Sequence, residues 1–154
     1  MGYIILGDKN RLAIEVSGVK SDSDLMGYAR LWLDGVVLGD FSEYIYLDGY
    51  LLGGLHQMLN IGWITDEGLP TDIDQQFQYF EKKSTEGDDV GIDSYRVSFG
   101  TMTDSFDMWS YRKDNAITLI WRLREGRSVR DLDSSMVIYR EYKIFCVNGL
   151  SSCI

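Results

Sequence analysis

The chain has little of what most enzymes and metal proteins rely on. His56 is its one histidine, so two-histidine metal sites are excluded and a histidine-based catalytic dyad would have to be built around that single residue. Pro70 is the single proline, which rules out a proline-rich linker. Cysteine is limited to Cys146 and Cys153. Seven residues apart, and with Cys146 inside an apolar run, they read as reduced thiols rather than a disulfide framework. No apolar run approaches the ~20 residues of a membrane-spanning helix. The opening "MGYIILGDKNR" lacks the basic start and long apolar middle of a secretory signal. Leu6 also stands where a myristoylation signal beginning at Gly2 would carry Ser or Thr. A cytoplasmic protein without membrane contact is expected.

What is present is ordinary globular composition with an uneven charge. With 154 residues, 45% hydrophobic and 25% charged, the chain is expected to form one domain over 1–154 with a core of its own. Net charge is -9. Residues 51–110 carry eleven acids against three bases, whereas 111–154 carry eight bases against five acids. Such an acidic middle repels nucleic acid and anionic membrane and attracts a basic partner.

Hydrophobic patterning places strands first. In "RLAIEVSGV", Leu12, Ile14 and Val16 alternate with Arg11, Ala13 and Glu15. Asp34-Gly35 in "YARLWLDGVVLGDF" is a strong hairpin signal, because a type I′ turn needs positive φ at both central residues. From Asp48, a plausible N-cap, the period becomes helical through Leu51, Leu52, Leu55, Met58 and Leu59, with Gly53-Gly54 marking close packing. "TDIDQQFQYFEKK" predicts a second helix, capped by Thr71 or Asp72, with Ile73, Phe77 and Phe80 inward. Strands return in "SYRVSFG", "FDMWSYR" and "AITLIWRLR", expected to pair as a meander with the last one central. "VIYREYKIFCVNGL" breaks alternation and reads as a helix, capped by Ser134 or Ser135 and stopped at Asn148-Gly149. The sum is an α+β fold: a mostly antiparallel twisted sheet, with N-terminal hairpins and a C-terminal meander, packed with two to three helices.

No arrangement of reactive residues stands out. Gly7-Asp8-Lys9-Asn10 has one glycine and leads into a strand, so it reads as a turn rather than a phosphate loop. The acids at Glu86, Asp88, Asp89 and Asp93 lack the closing Glu of a calcium loop. Carboxylates are numerous enough for chance pairs, and nothing selects an acid/base couple. Arg122, Arg124, Arg127 and Arg130 form the basic cluster, for which ion pairing with the acidic middle is simpler than nucleic-acid binding. Many of the ten tyrosines, among them Tyr28, Tyr95 and Tyr111, fall where alternation points outward. Acids mixed with exposed tyrosine describe a binding surface better than a cleft. No catalytic, cofactor or metal residue is therefore nominated.

"ILGDKNRLAIEV", then "GYARLWLDGVVLGDF", then "LLGGLHQML" resembles the opening of a family of bacterial immunity proteins encoded beside polymorphic toxins, including those of contact-dependent growth inhibition. The likeness covers residues 4 to 60 well and the rest more loosely. Leu12 replaces the aromatic residue expected before Ala-Ile-Glu. The resemblance implies a non-enzymatic cytosolic protein that binds a cognate toxin domain and blocks it, often a nuclease with a basic cleft. It supplies no catalytic residues and no contact positions. Charge nominates the contact surface: Glu86, Asp88, Asp89 and Asp93 first, then Asp66, Glu67, Asp72 and Asp74. Two other readings stay open, a small carboxylate-dependent enzyme and a scaffold or oligomerising domain. The oligomeric state is open as well.

Overall fold

A computed structural model describes residues 2–39, 41–61, 64, 68–87, 91–113 and 116–124, and the backbone of 128–129, 132–133 and 140–145. The fold is α+β, with strands β1 (Tyr3–Gly7), β2 (Leu12–Ser21), β3 (Leu25–Leu33), β4 (Val36–Leu38) and β5 (Ile45–Tyr46), then helices α1 (Gly53–Leu59) and α2 (Ile73–Glu86). Strands β6 (Phe106–Lys113), β7 (Ala116–Leu123), β8 (Ser128–Val129), β9 (Leu132–Asp133) and β10 (Arg140–Phe145) follow. Two compact units divide the chain: residues 1–56, 98–106 and 123–136 in the first, and 57–97, 107–122 and 137–154 in the second.

The first unit is built on an antiparallel sheet in the order β1-β2-β3-β4, with β5 also on β3. Gly7-Asp8-Lys9-Asn10 is the corner between β1 and β2. Gly7 has φ 99°, the Asn10 amide donates to Asp8 Oδ1 at 2.9 Å, and the Arg11 amide donates to the Asp8 carbonyl. Asp34 and Gly35 have φ 52° and 77°, with Leu33 opposite Val36, as a two-residue type I′ hairpin requires. Register sets Leu12, Ile14 and Val16 beside Leu33, Leu31 and Ala29 on one face. That face is fully buried at Leu31 and Leu33. It thins outward to Ile4 and Leu6 of β1, 56% and 60% exposed.

The helix expected from Asp48 is displaced. Residues Leu47–Leu52 form a π-helical turn, preceded by Tyr46 and without a side-chain cap, before α1 begins at Gly53. The wider turn shifts the phase. Leu47, Leu51 and Met58 are buried, while Leu52 and Leu59 face solvent. Gly54 is the close-packed glycine of its pair. A Cβ there would sit 2.5 Å from Phe99 Cδ1 and 2.7 Å from the Ser98 carbonyl oxygen.

In the second unit α2 forms as its sequence dictates. Asp72 caps it by accepting from the Gln75 amide at 3.1 Å, and Gly87 ends it at φ 67°. Phe77 and Phe80 are buried and Ile73 is partly buried. Phe80 stacks on Trp109 with centroids 4.9 Å apart, and Tyr79, Tyr95 and Tyr111 surround it. The sheet runs β10-β7-β6, with β7 central as its apolar sequence implies.

Three expectations are corrected here. "SYRVSFG" is not a strand. Ile92–Tyr95 form a 3-10 turn, and pairing is reduced to two isolated bridges, Arg96 with Trp109 and Phe99 with Thr101. The Ser94 hydroxyl bonds the Gly91 carbonyl at 2.6 Å, satisfying the backbone locally in place of a ladder. The terminal helix is also absent over Arg140–Phe145, which pair antiparallel along β7 from Trp121 to Ala116. An available strand edge there overrides the local spacing. The capping serines, Asn148-Gly149, Cys146 and Cys153 lie outside the described residues. Finally, Tyr111 points inward and is 4% exposed. Its hydroxyl donates to Gln76 Oε1 at 3.0 Å, and Gln76 Nε2 donates to the Pro70 carbonyl at 2.9 Å, so the buried polar atoms are paired.

Candidate protein-binding surfaces

Helix α2 decides how the nominated acids of the second unit are arranged. Asp72 and Asp74 are exposed at its start, and Glu86 is exposed at its end. Twelve residues of helix separate Asp74 from Glu86 by about 18 Å. Asp93 joins the Glu86 end, accepting from the Ser84 hydroxyl at 2.6 Å. The described members of the two nominated groups therefore sit at opposite ends of one helix, and Asp72, Glu86 and Asp93 each have local work. Asp72 caps the helix. Glu86 lies 3.8 Å from Lys82 Nζ, and Arg96 reaches the same Ser84 hydroxyl at 3.5 Å. Asp88, Asp89, Asp66 and Glu67 lie outside the described residues.

Ion pairing also accounts for the first member of the arginine cluster. Arg122 is bonded to Glu81 and, at 3.3 Å, to Asp107, and its guanidinium lies 5.0 Å from the Phe77 ring centroid. Arg124 is exposed, and its amide donates to the Ser105 carbonyl at 2.8 Å. Arg127 and Arg130 lie outside the described residues.

Glu15, in the first unit, is the one buried carboxylate among the described residues, 2% exposed. Arg30 grips it through two nitrogens at 2.7 and 3.1 Å, Trp32 Nε1 donates at 2.8 Å, and Lys9 Nζ lies 3.4 Å away. The Arg30 bond above all, opposed by burial and helped by Trp32 and Lys9, brings its carboxyl down to about 2. A carboxylate held ionised so firmly is a poor proton donor or acceptor near neutrality. It is a structural anchor for the β2–β3 ladder.

A surface that charge alone did not find lies in the same unit. Tyr44, Tyr46 and Tyr50 are 41%, 38% and 38% exposed. With Met26, Glu43, Ile45 and Thr101 they line an open groove of about 430 Å³. A smaller hollow of about 130 Å³ adjoins it, sharing Glu43, Ile45 and Thr101. The rings are held in place. Tyr44 meets Tyr28 edge-on at 5.2 Å, and Tyr46 meets Tyr50 edge-on at 6.5 Å. Tyr50 lies so close over Gly100, itself at φ 67°, that a Cβ there would come within 2.3 Å of the ring. The Tyr46 hydroxyl donates to Asp48 Oδ2 at 3.4 Å. The Asp48 carboxylate, then burial, then Asp24 push this hydroxyl above its ordinary range, which marks a locally negative field. The sequence carried the signal: three tyrosines within seven residues, with Glu43 just before them and Asp48 among them. Reading Asp48 as a helix cap concealed it.

No family model matches the chain, and no curated protein matches its sequence. A solved structure does match. The crystal structure of CdiI from Burkholderia dolosa aligns over 91% of this chain and 90% of that chain, with TM-score 0.62 and 13% sequence identity. The chain has the fold of CdiI. At that identity the CdiI likeness is one of backbone architecture, and it assigns no contact residue. Among the described residues, no helix is long and apolar enough to cross a membrane. Nor do three or more His, Cys, Asp or Glu gather there to hold a metal.

Proposed function

We propose that this chain is an immunity protein of a contact-dependent growth inhibition system: it acts in the cytosol, binding a cognate toxin domain and neutralising it without catalysis. The observation that carries the reading is the CdiI fold, matched over nine-tenths of both chains. The opening motifs and the net charge of -9 support it. A toxin that is a nuclease with a basic substrate cleft suits that charge, because opposite fields speed encounter and select partners. The proposed contact acids are Glu86, Asp88, Asp89 and Asp93, with Asp66, Glu67, Asp72 and Asp74 second. The test is to co-express the chain with the toxin domain encoded immediately upstream. Growth protection and co-purification that weakens at high salt are expected. Unprotected cells, with both proteins soluble, would overturn the reading.

A self-associating scaffold has one observation in its favour, the uncharged and exposed edge strand β1. Sedimentation of the purified chain decides it, with a monomer at micromolar concentration removing that alternative.

A further inference from the structure

The geometry points to the groove of Tyr44, Tyr46 and Tyr50 as the seat of an arginine side chain from a basic protein partner, its guanidinium against the tyrosine faces and its N–H groups on Glu43 and Asp48. This deepens the neutralisation reading and rests on it for the identity of the partner.

The chain itself shows the chemistry that such a seat uses. Arg30 sits 4.4 Å from the Phe41 ring and 5.5 Å from the Trp32 ring while forking onto Glu15. Arg122 sits over Phe77 with Glu81 and Asp107 as its carboxylates. Arg96 lies 4.3 Å from the Trp109 ring and reaches Asp93 through the Ser84 hydroxyl. Each is an aromatic face plus carboxylate oxygens, filled by an arginine of the same unit. The tyrosine groove has the same components: aromatic rings, Glu43 in its wall, and Asp48 on the Tyr46 hydroxyl. Among the described residues lining it, none is basic. The adjacent base is Lys20, across the β2–β3 ladder from Met26 and exposed.

Charge complementarity names the occupant. Glu43 lines the groove and Asp48 accepts from the Tyr46 hydroxyl, beside rings whose faces are themselves electron-rich, so a cation is favoured over an anion or a neutral group. Arginine suits the seat better than lysine. Its planar guanidinium stacks on a ring while its edge donates to carboxylates, and it is more weakly hydrated than an ammonium. The rings are also fixed by their own contacts, so ordering them on binding costs little, as befits tyrosine anchors at the centre of an interface.

The experiment uses the full chain with ring-labelled tyrosine, observed by NMR. The probes are a capped pentapeptide bearing two arginines and its lysine and citrulline counterparts. The arginine peptide is expected to shift the Tyr44, Tyr46 and Tyr50 ring signals. Lysine should bind at least about threefold more weakly, and citrulline should leave the rings unmoved. The double substitution Glu43→Gln, Asp48→Asn is expected to weaken the arginine peptide about tenfold with the amide spectrum otherwise kept. Three results would overturn the inference: equal shifts from all three peptides, shifts as large around Glu86 and Asp93, or an unaffected double variant. The same variant is then tested on the upstream toxin. Undiminished protection sinks this inference and leaves the immunity reading standing. If the parent chain gives no protection, the reading fails while the peptide result still decides the groove.

Discussion

The two units use the same materials to opposite ends. In the second, β6 and β7 are buried along most of their length, the aromatic side chains close on one another around Phe80, and Arg122 and Arg96 occupy the aromatic and acidic niches available to them. In the first, β1 is exposed from Tyr3 to Gly7, and three tyrosines beside acids face solvent in a groove. Acids in the second unit cap a helix, pair with Lys82 or accept from Ser84. Residues 51–110 hold the densest acidic charge, yet the described aromatic surface that could anchor a partner belongs to the first unit. The densest acidic charge and the exposed tyrosine groove therefore fall in different stretches of the chain.

The sharpest test of this contrast is Phe80→Ala. Phe80 is fully buried and stacked on Trp109. Deleting its ring leaves a cavity among neighbours that cannot collapse, at a cost of about 3–5 kcal/mol in urea unfolding. A loss under about 1 kcal/mol would break the picture of a tightly closed second unit. In the first unit the largest single effect is expected at Glu15→Gln, about 2–3 kcal/mol, because Arg30 and Trp32 lose an ionised acceptor. Its pH dependence is diagnostic. The carboxyl sits at about 2 in the folded chain against an ordinary 4.5, so its contribution is complete above pH 4.5 and drains away as pH falls toward 2. The stability gap between parent and Glu15→Gln should stay constant from pH 7 to 5 and narrow below 4.5. Urea midpoints at pH 7, 5 and 3.5 check it, and a gap that widened on acidification would show Glu15 to be unpaired.

Local rules made much of the fold legible. Asp34-Gly35 can close only one kind of two-residue hairpin, and Asp72 with Gly87 brackets a helix whose inward stripe was readable from Ile73, Phe77 and Phe80. Reading failed where long-range pairing or a change of helical pitch intervened. The terminal segment breaks alternation and so reads as a helix, yet the open edge of β7 recruited Arg140–Phe145 as a strand. The π-helical turn at Leu47–Leu52 shifted the phase, so Leu52 and Leu59 face water instead of the core. At the candidate site the composition was legible and the arrangement was not. Tyrosine and acid were both counted, but only three-dimensional placement puts Tyr44, Tyr46, Tyr50 and Thr101 around one groove while sending Tyr111 inward.

Asp72→Ala is expected to cost about 1 kcal/mol, the usual worth of a side-chain N-cap. It asks whether a nominated contact acid also holds its own helix. If the substitution lowers the urea midpoint without weakening capture of the upstream toxin, Asp72 acts as a cap and its end of α2 is not a contact. Unchanged stability with weakened capture would reverse that assignment and make this end of α2 part of the binding face.

The smallest effect is expected at Leu6→Lys, and there a near-zero result is the informative one. Leu6 is 60% exposed on an edge strand whose neighbour across the ladder, Ile14, is only partly covered. Replacing it removes little buried area, so stability should change by no more than about 0.5 kcal/mol. A lysine on an exposed edge also blocks strand addition, the device natural sheets use against self-pairing. If β1 is a display surface, the variant unfolds at the parent's urea midpoint, and any concentration-dependent association seen by sedimentation is abolished. If the unfolding free energy falls by more than about 1 kcal/mol, β1 is buried in solution. The contrast between a closed second unit and an open first unit would then be lost.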